Sequence, residues 1–136
     1  MKFYRCTICG NEIEMIKDTG NAPFCCGKVM EELIPGTSDG TKEKHVPVCR
    51  VCNGDLSCPD IKKIHVMVGS EPHPMSEEHY IEWIVVETDK RVYRKNLTPK
   101  CDPSAVFYMH VDEKILNVYG YCNVHGLWKG SCDLKM

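Results

Sequence analysis

From residue 61 onward, apolar and polar positions follow the two-residue period of β-strands. Residues 61–68 are β-branched with rough alternation. Residues 80–88 carry Ile81, Trp83 and Val85 on one face and Tyr80, Ile84 and Val86 on the other, which predicts a strand buried on both sides. Asp89-Lys90 reads as a tight turn into 91–97, making a hairpin, and 105–111 and 115–121 complete the set. Short strands with turn residues between them predict an all-β chain built as a sandwich. The only helical expectation is a turn or two over 28–33.

The first 36 residues follow a different rule. Their pattern is set by Cys6-x-x-Cys9-Gly10 and Cys25-Cys26-Gly27, and the stretch between, residues 11–24, is too small for a core of its own. A Cys-x-x-Cys-Gly knuckle turns both sulfurs inward, and the glycine permits the turn. Cys25 and Cys26 are poorly placed to bond each other but complete a tetrahedral four-thiolate set with Cys6 and Cys9, a geometry that suits iron and zinc alike. Metal binding then supplies much of the folding free energy, of order 10 kcal/mol. The turn-rich stretch 34–41 marks the boundary, giving domains 1–36 and 37–136.

Composition narrows the function. A formal charge of −2 offers no basic surface for nucleic acid. No apolar run approaches the ~20 residues of a membrane span. The first residues lack the apolar core of a secretory signal, so the expected location is the cytoplasm. Ten cysteines in that reducing compartment argue for thiolate–metal chemistry over disulfides.

The six histidines divide into two groups. His65 and His110 sit inside strand patterns and read as ordinary strand residues. The other four each adjoin a turn signal or another donor: Glu43-Lys44-His45-Val46-Pro47, His73-Pro74 through His79, and Cys122-Asn123-Val124-His125-Gly126. Pro74 forces His73 out of helical conformation, and a loop that folds back can aim His73 and His79 at one point. Neutral imidazole is the commonest transition-metal ligand. Four imidazoles and the Cys122 sulfur make a five-ligand site with one open position.

These segments, in this order and over essentially the full length, closely resemble desulfoferrodoxin, the two-iron superoxide reductase. The resemblance implies a desulforedoxin-like first domain whose iron is held by Cys6, Cys9, Cys25 and Cys26. It implies an immunoglobulin-like seven-stranded sandwich after it, with a second iron held by His45, His73, His79 and His125 in a plane and Cys122 on the axis. The implied reaction takes one electron from the ferrous centre and two protons to turn superoxide into hydrogen peroxide. Lys44 steers superoxide and stabilises developing charge, and Glu43 caps the ferric ion once product has left. The axial thiolate pushes electron density toward the open position. A rubredoxin-like electron donor and a homodimer are also implied. Trp83 and Trp128 are candidates to wall the site, with core packing the expected role of Trp83, and Pro47 and Pro74 are expected to stiffen the ligand loops.

One stretch departs from the family pattern. Residues 48–60 lengthen a hairpin that is usually shorter and cysteine-free, and they add Cys49, Cys52 and Cys58, while Cys101 and Cys132 stand elsewhere. Three readings stay open: free thiols, a Cys49–Cys52 or Cys52–Cys58 disulfide, or a third metal site on Cys49, Cys52 and Cys58. Two rival functions also stand beside the reductase. They are a non-catalytic iron electron-transfer or metal-binding protein, and a zinc-ribbon binding module on the first four cysteines.

Overall fold

The structure, a computed structural model, describes residues 1–52 and 57–132. It divides into two compact units, Met1–Ile34 and Pro35–Met136.

The first unit holds β1 (Phe3–Arg5), β2 (Glu12–Glu14), β3 (Phe24–Cys25), β4 (Lys28–Val29) and β5 (Glu31–Glu32). One sheet runs β2-β1-β5, and β3 pairs with β4. Tyr4, Cys6 and Met30 form its small core. The helical turn expected over 28–33 is absent, because that stretch is β4 and β5. Its backbone finds partners across strands instead: the Met30 N–H donates to the Pro23 carbonyl and the Leu33 N–H to the Phe3 carbonyl, each at 2.8 Å. Cys25 pairs with Lys28, so Cys26-Gly27 is a two-residue hairpin loop. Both loop residues have positive φ, 53° and 73°, the hairpin geometry whose twist matches the flanking strands.

The second unit opens with one helical turn, α1 (Lys42–His45), in a chain that otherwise reads as strand. Then come β6 (Pro47–Cys52), β7 (Ile61–Val68), β8 (Ile81–Thr88), β9 (Val92–Asn96), β10 (Ser104–His110), β11 (Ile115–Cys122) and β12 (Gly126–Gly130). Seven described strands make two antiparallel sheets, β10-β7-β6 and β12-β11-β8-β9, the expected immunoglobulin-like sandwich. Alternation decides the inner face: Ile64, Val66 and Val68 of β7 and Ala105, Phe107 and Met109 of β10 are buried, with Val106, Tyr108 and His110 turned out. In β8 the consecutive Ile84, Val85 and Val86 are all fully buried, as the uninterrupted apolar run predicts. Glu113 is also buried. Its carboxylate accepts from Tyr93 Oη (2.8 Å), Thr88 Oγ1 (2.9 Å) and the His110 N–H (3.1 Å), while buried Lys62 donates to its backbone carbonyl. Burial pushes the carboxyl upward, but the Tyr93 and Thr88 hydroxyls and the His110 N–H outweigh it and hold the group below its usual range.

The extra cysteines follow the thiol reading in part, and Cys49 takes a partner that none of the three open readings contains. Cys49 is disulfide-bonded to Cys132, 83 residues away, and Cys52, Cys58 and Cys101 are in no disulfide. Strand parity explains the choice. Cys49 lies on the buried side of β6 and joins the core, whereas Cys52, an odd number of residues later, faces out. The third metal site on Cys49, Cys52 and Cys58 is therefore ruled out, as are disulfides from Cys49 to Cys52 and from Cys52 to Cys58. Residues 53–56 of the lengthened hairpin lie outside the described residues.

Candidate metal centres

In the first unit the sulfurs of Cys6, Cys9, Cys25 and Cys26 all lie within 4.8 Å of one another. Cys9 and Cys25 sulfurs are 3.6 Å apart and those of Cys25 and Cys26 4.0 Å. These bracket the ~3.8 Å edge of a tetrahedron with ~2.3 Å metal–sulfur bonds. The knuckle turn aims the N–H groups of Cys9 and Ile8 at Cys6 Sγ, both at 3.4 Å, and they lower that thiol to about 6. Cys26 is pushed the other way, to about 12, chiefly by Cys9 and Cys25. Four crowded sulfurs cannot all ionise without a cation among them, so the cluster fits a metal ion.

In the second unit two loops and one helical turn converge. His45 ends α1, His73 and His79 lie between β7 and β8, Cys122 ends β11, and His125 is the last residue of the three-residue loop between β11 and β12. Gly126 takes φ of 75°, as such a hairpin requires. The register of β11 on β8 shifts between Tyr121 and Cys122, and this bulge accompanies the burial of Cys122. Asn123 holds the loops together: its Oδ1 accepts from the Tyr80 N–H at 2.9 Å and its Nδ2 donates to the Glu78 carbonyl at 3.0 Å.

The four rings stand at the corners of a near-square. Neighbouring centroids are 4.7 Å (His45–His73), 4.6 Å (His73–His79), 5.0 Å (His79–His125) and 4.8 Å (His125–His45), and the His45–His79 diagonal is 6.3 Å. Toward the centre, His45 Nε2 is 3.1 Å from His125 Nδ1 and 3.2 Å from His73 Nε2. Adjacent donors around an ion with ~2.1 Å metal–nitrogen bonds are separated by about 3 Å. The ligand atoms of His45, His79, Cys122 and His125 lie within 4.8 Å of one another, with Cys122 Sγ 4.0 Å from His125 Nδ1.

The outer nitrogens fix the tautomers. His45 Nδ1 donates to the Thr41 carbonyl and His73 Nδ1 to the Pro74 carbonyl, both at 2.7 Å. Each neutral ring has one proton, so the inward Nε2 atoms present lone pairs. His79 Nε2 is buried without a hydrogen-bond partner. Burial lowers His45, His79 and above all His73, the last to about 4, so the rings are neutral at pH 7. Burial also raises the Cys122 thiol, opposed by the His125 and Val124 N–H groups. Facing lone pairs and an orphaned nitrogen beside a thiol fit a transition metal.

Trp128 stacks on His45 at 5.0 Å and donates through Nε1 to the His125 carbonyl at 3.0 Å. Trp83 instead stacks on Tyr121 at 5.3 Å under Arg94, its packing role. No spacing rule gives Gly40 a role, yet a Cβ there would lie 2.9 Å from His45 Cε1 and 3.0 Å from His125 Cβ. Asn123, Thr41 and Ser38, whose hydroxyl donates to the His125 carbonyl, were missed as well. Their roles run through backbone atoms that no spacing rule reports. Glu43 and Lys44 are exposed on α1, and Lys44 is close enough for its charge to act on His45 and His79. His65 and His110 lie on β7 and β10, as expected of strand residues.

Comparison with known proteins agrees with this geometry. The desulfoferrodoxin N-terminal domain family matches residues 1–33 and the desulfoferrodoxin family residues 37–131. Desulfoferrodoxin from Nitratidesulfovibrio vulgaris is 42% identical over 129 residues, 94% of each chain. A desulfoferrodoxin homolog from Archaeoglobus fulgidus is 41% identical over 129 residues, 95% of each. The superoxide reductase of Thermococcus kodakarensis is 34% identical over 113 residues, 73% of this chain and 94% of its own. Among solved structures, the superoxide reductase from Treponema pallidum superposes with a TM-score of 0.74 at 32% identity, covering 94% of this chain and 98% of that one. No helix among the described residues is long and apolar enough to cross a membrane. With both family matches in sequence order and relatives above 40% identity along nearly all its length, the chain belongs to the desulfoferrodoxin family of superoxide reductases.

Proposed function

We propose that the chain reduces superoxide to hydrogen peroxide at an iron ion held by His45, His73, His79 and His125, with Cys122 as fifth ligand and the sixth position open. The observation that carries the reading is the square of four imidazoles in which His45 and His73, each donating its Nδ1–H outward, turn unprotonated Nε2 atoms toward one another. Ferrous iron, when bound, supplies the single electron and the open coordination position. The protein supplies the rest. Carbonyls of Thr41 and Pro74 hold the rings in the ligating tautomer, and burial keeps them unprotonated. The His125 N–H, 3.4 Å from Cys122 Sγ, stabilises the sulfur as a thiolate. Lys44 draws the anion inward and favours the charge that grows as it is reduced. Its ammonium orders the water that brings protons. Glu43 closes the site after peroxide leaves.

Cys6, Cys9, Cys25 and Cys26 hold a second iron in residues 1–36, a relay from a rubredoxin-like donor to the centre in 37–136. The family likeness supports that donor and a homodimer, and the many cysteines held as metal ligands support a reducing, cytoplasmic location. The test is an absorption spectrum followed by rapid mixing with superoxide. The expected result is rubredoxin-like bands, a thiolate-to-ferric band on oxidation, and one peroxide per superoxide with no oxygen evolved. Iron bands without any superoxide reaction favour the non-catalytic electron-transfer alternative, and a colourless zinc protein favours the binding module.

A further inference from the structure

We propose that Cys49 and Cys132 form a reversible redox site whose disulfide clamps the wall of the histidine centre. The mechanical part stands on geometry alone. Only the source of the oxidant rests on the superoxide-reductase reading.

Cys49 belongs to β6, which begins two residues after His45. Cys132 lies two residues beyond the end of β12, the strand that carries Trp128. β6 and β12 are end strands of different sheets, so no ladder joins them. The sulfur–sulfur bond is the covalent tie across that open edge. The two strands nearly touch there, since a Cβ on Gly130 would come within 2.3 Å of the Pro47 carbonyl oxygen. Trp128 converts strand position into site geometry, because its indole packs on the His45 ring and its N–H holds the His125 carbonyl. A shift of β12 against β6 therefore moves the support of two of the four rings together. With a sequence separation of 83 between the cysteines, no local turn returns them to each other once the tie is cut.

Cys49 is buried and Cys132 only partly so, which makes Cys132 the sulfur that meets reagents first. In closing, the Cys132 thiolate attacks one oxygen of hydrogen peroxide. The O–O bond breaks, hydroxide leaves and takes a proton, and a sulfenic acid remains. The Cys49 thiol then attacks that sulfur and displaces the second oxygen as water, so two thiols and one peroxide give one disulfide and two waters. In opening, a dithiol supplies two electrons and two protons by exchange and becomes a disulfide itself. Peroxide is the product of the proposed reaction, so the clamp closes when the site has been turning over.

The test uses the full chain, zinc-loaded and carrying Trp83→Phe, so that Trp128 is the only indole. Oxidised protein is expected to yield a linked Cys49–Cys132 peptide. Dithiol treatment should remove the link and raise acrylamide quenching of Trp128 by roughly twofold or more, as local opening exposes it. Equimolar hydrogen peroxide should reverse both changes, and Cys132→Ser should show the open-state quenching without reductant. Failure to find the link under any oxidant overturns the proposal, as does equal quenching in the two states. Loss of the β-sheet circular dichroism on opening also overturns it, because the bond is then a staple of the whole fold. A reversible Trp128 response in a chain whose iron form ignores superoxide supports the clamp and removes the reductase reading. Superoxide activity with an unresponsive Trp128 does the opposite.

Discussion

His45 Nε2 and His73 Nε2 stand 3.2 Å apart, and each ring donates its one N–H to a carbonyl on its far side. Two lone pairs at that distance repel unless a cation lies between them. Replacing one corner of the square should empty it. His73→Ala is expected to lower metal affinity at this centre by at least ~100-fold, beyond what loss of an outer partner costs. Elemental analysis should then find only the metal of the four-cysteine cluster.

The same burial sets a pH dependence in the metal-free protein. Unfolded imidazoles titrate near 6.5, whereas burial holds His73 at about 4 and depresses His45 and His79 in the same direction. Between those values the unfolded chain binds protons that the folded one refuses. Stability is therefore full above 6.5 and falls as pH drops toward about 4. Urea midpoints measured across this range should decline, and the decline should be shallower in His73→Gln.

Lys44 is exposed one residue before His45, and its positive charge is felt at His45 and His79. Lys44→Gln is expected to slow the bimolecular reaction with superoxide by ~10-fold and to flatten its dependence on ionic strength. Pulse radiolysis at several salt concentrations measures both. Glu43→Ala should leave that first rate intact.

Gly40 gives the site its floor. A Cβ there meets His45 Cε1 at 2.9 Å and His125 Cβ at 3.0 Å, so Gly40→Ala must displace one of the two rings. Metal affinity should drop ~10–100-fold with little change in thermal stability of the metal-free chain. Competitive chelator titration gives the first quantity and calorimetry the second.

Glu113 supplies a control outside the metal site. Glu113→Ala takes the carboxylate acceptor away from the Tyr93 hydroxyl and the His110 N–H, while the Thr88 hydroxyl keeps the Arg91 carbonyl at 3.1 Å. The expected loss is about 3 kcal/mol in denaturant unfolding. Metal content and spectrum should not change.

Most of the fold and the candidate ligands are legible in local patterning. Two-residue alternation on β7 and β10 and the unbroken apolar run of β8 can satisfy burial only as strands of a two-sheet fold. The sulfur and imidazole donors were legible because each lies beside a glycine, a proline or another donor at short spacing. Local signals could not report what depends on distant backbone. The 28–33 stretch looked helical in isolation and became β4 and β5, because its N–H groups found carbonyls at Pro23 and Phe3. The partner of Cys49 was decided by which face of β6 it occupies and by which strand end reaches the open edge of the sandwich. Trp128, Gly40 and Asn123 took their roles in the same way. Each acts across a chain separation that only folding removes, and contacts of that range leave no period or spacing to read.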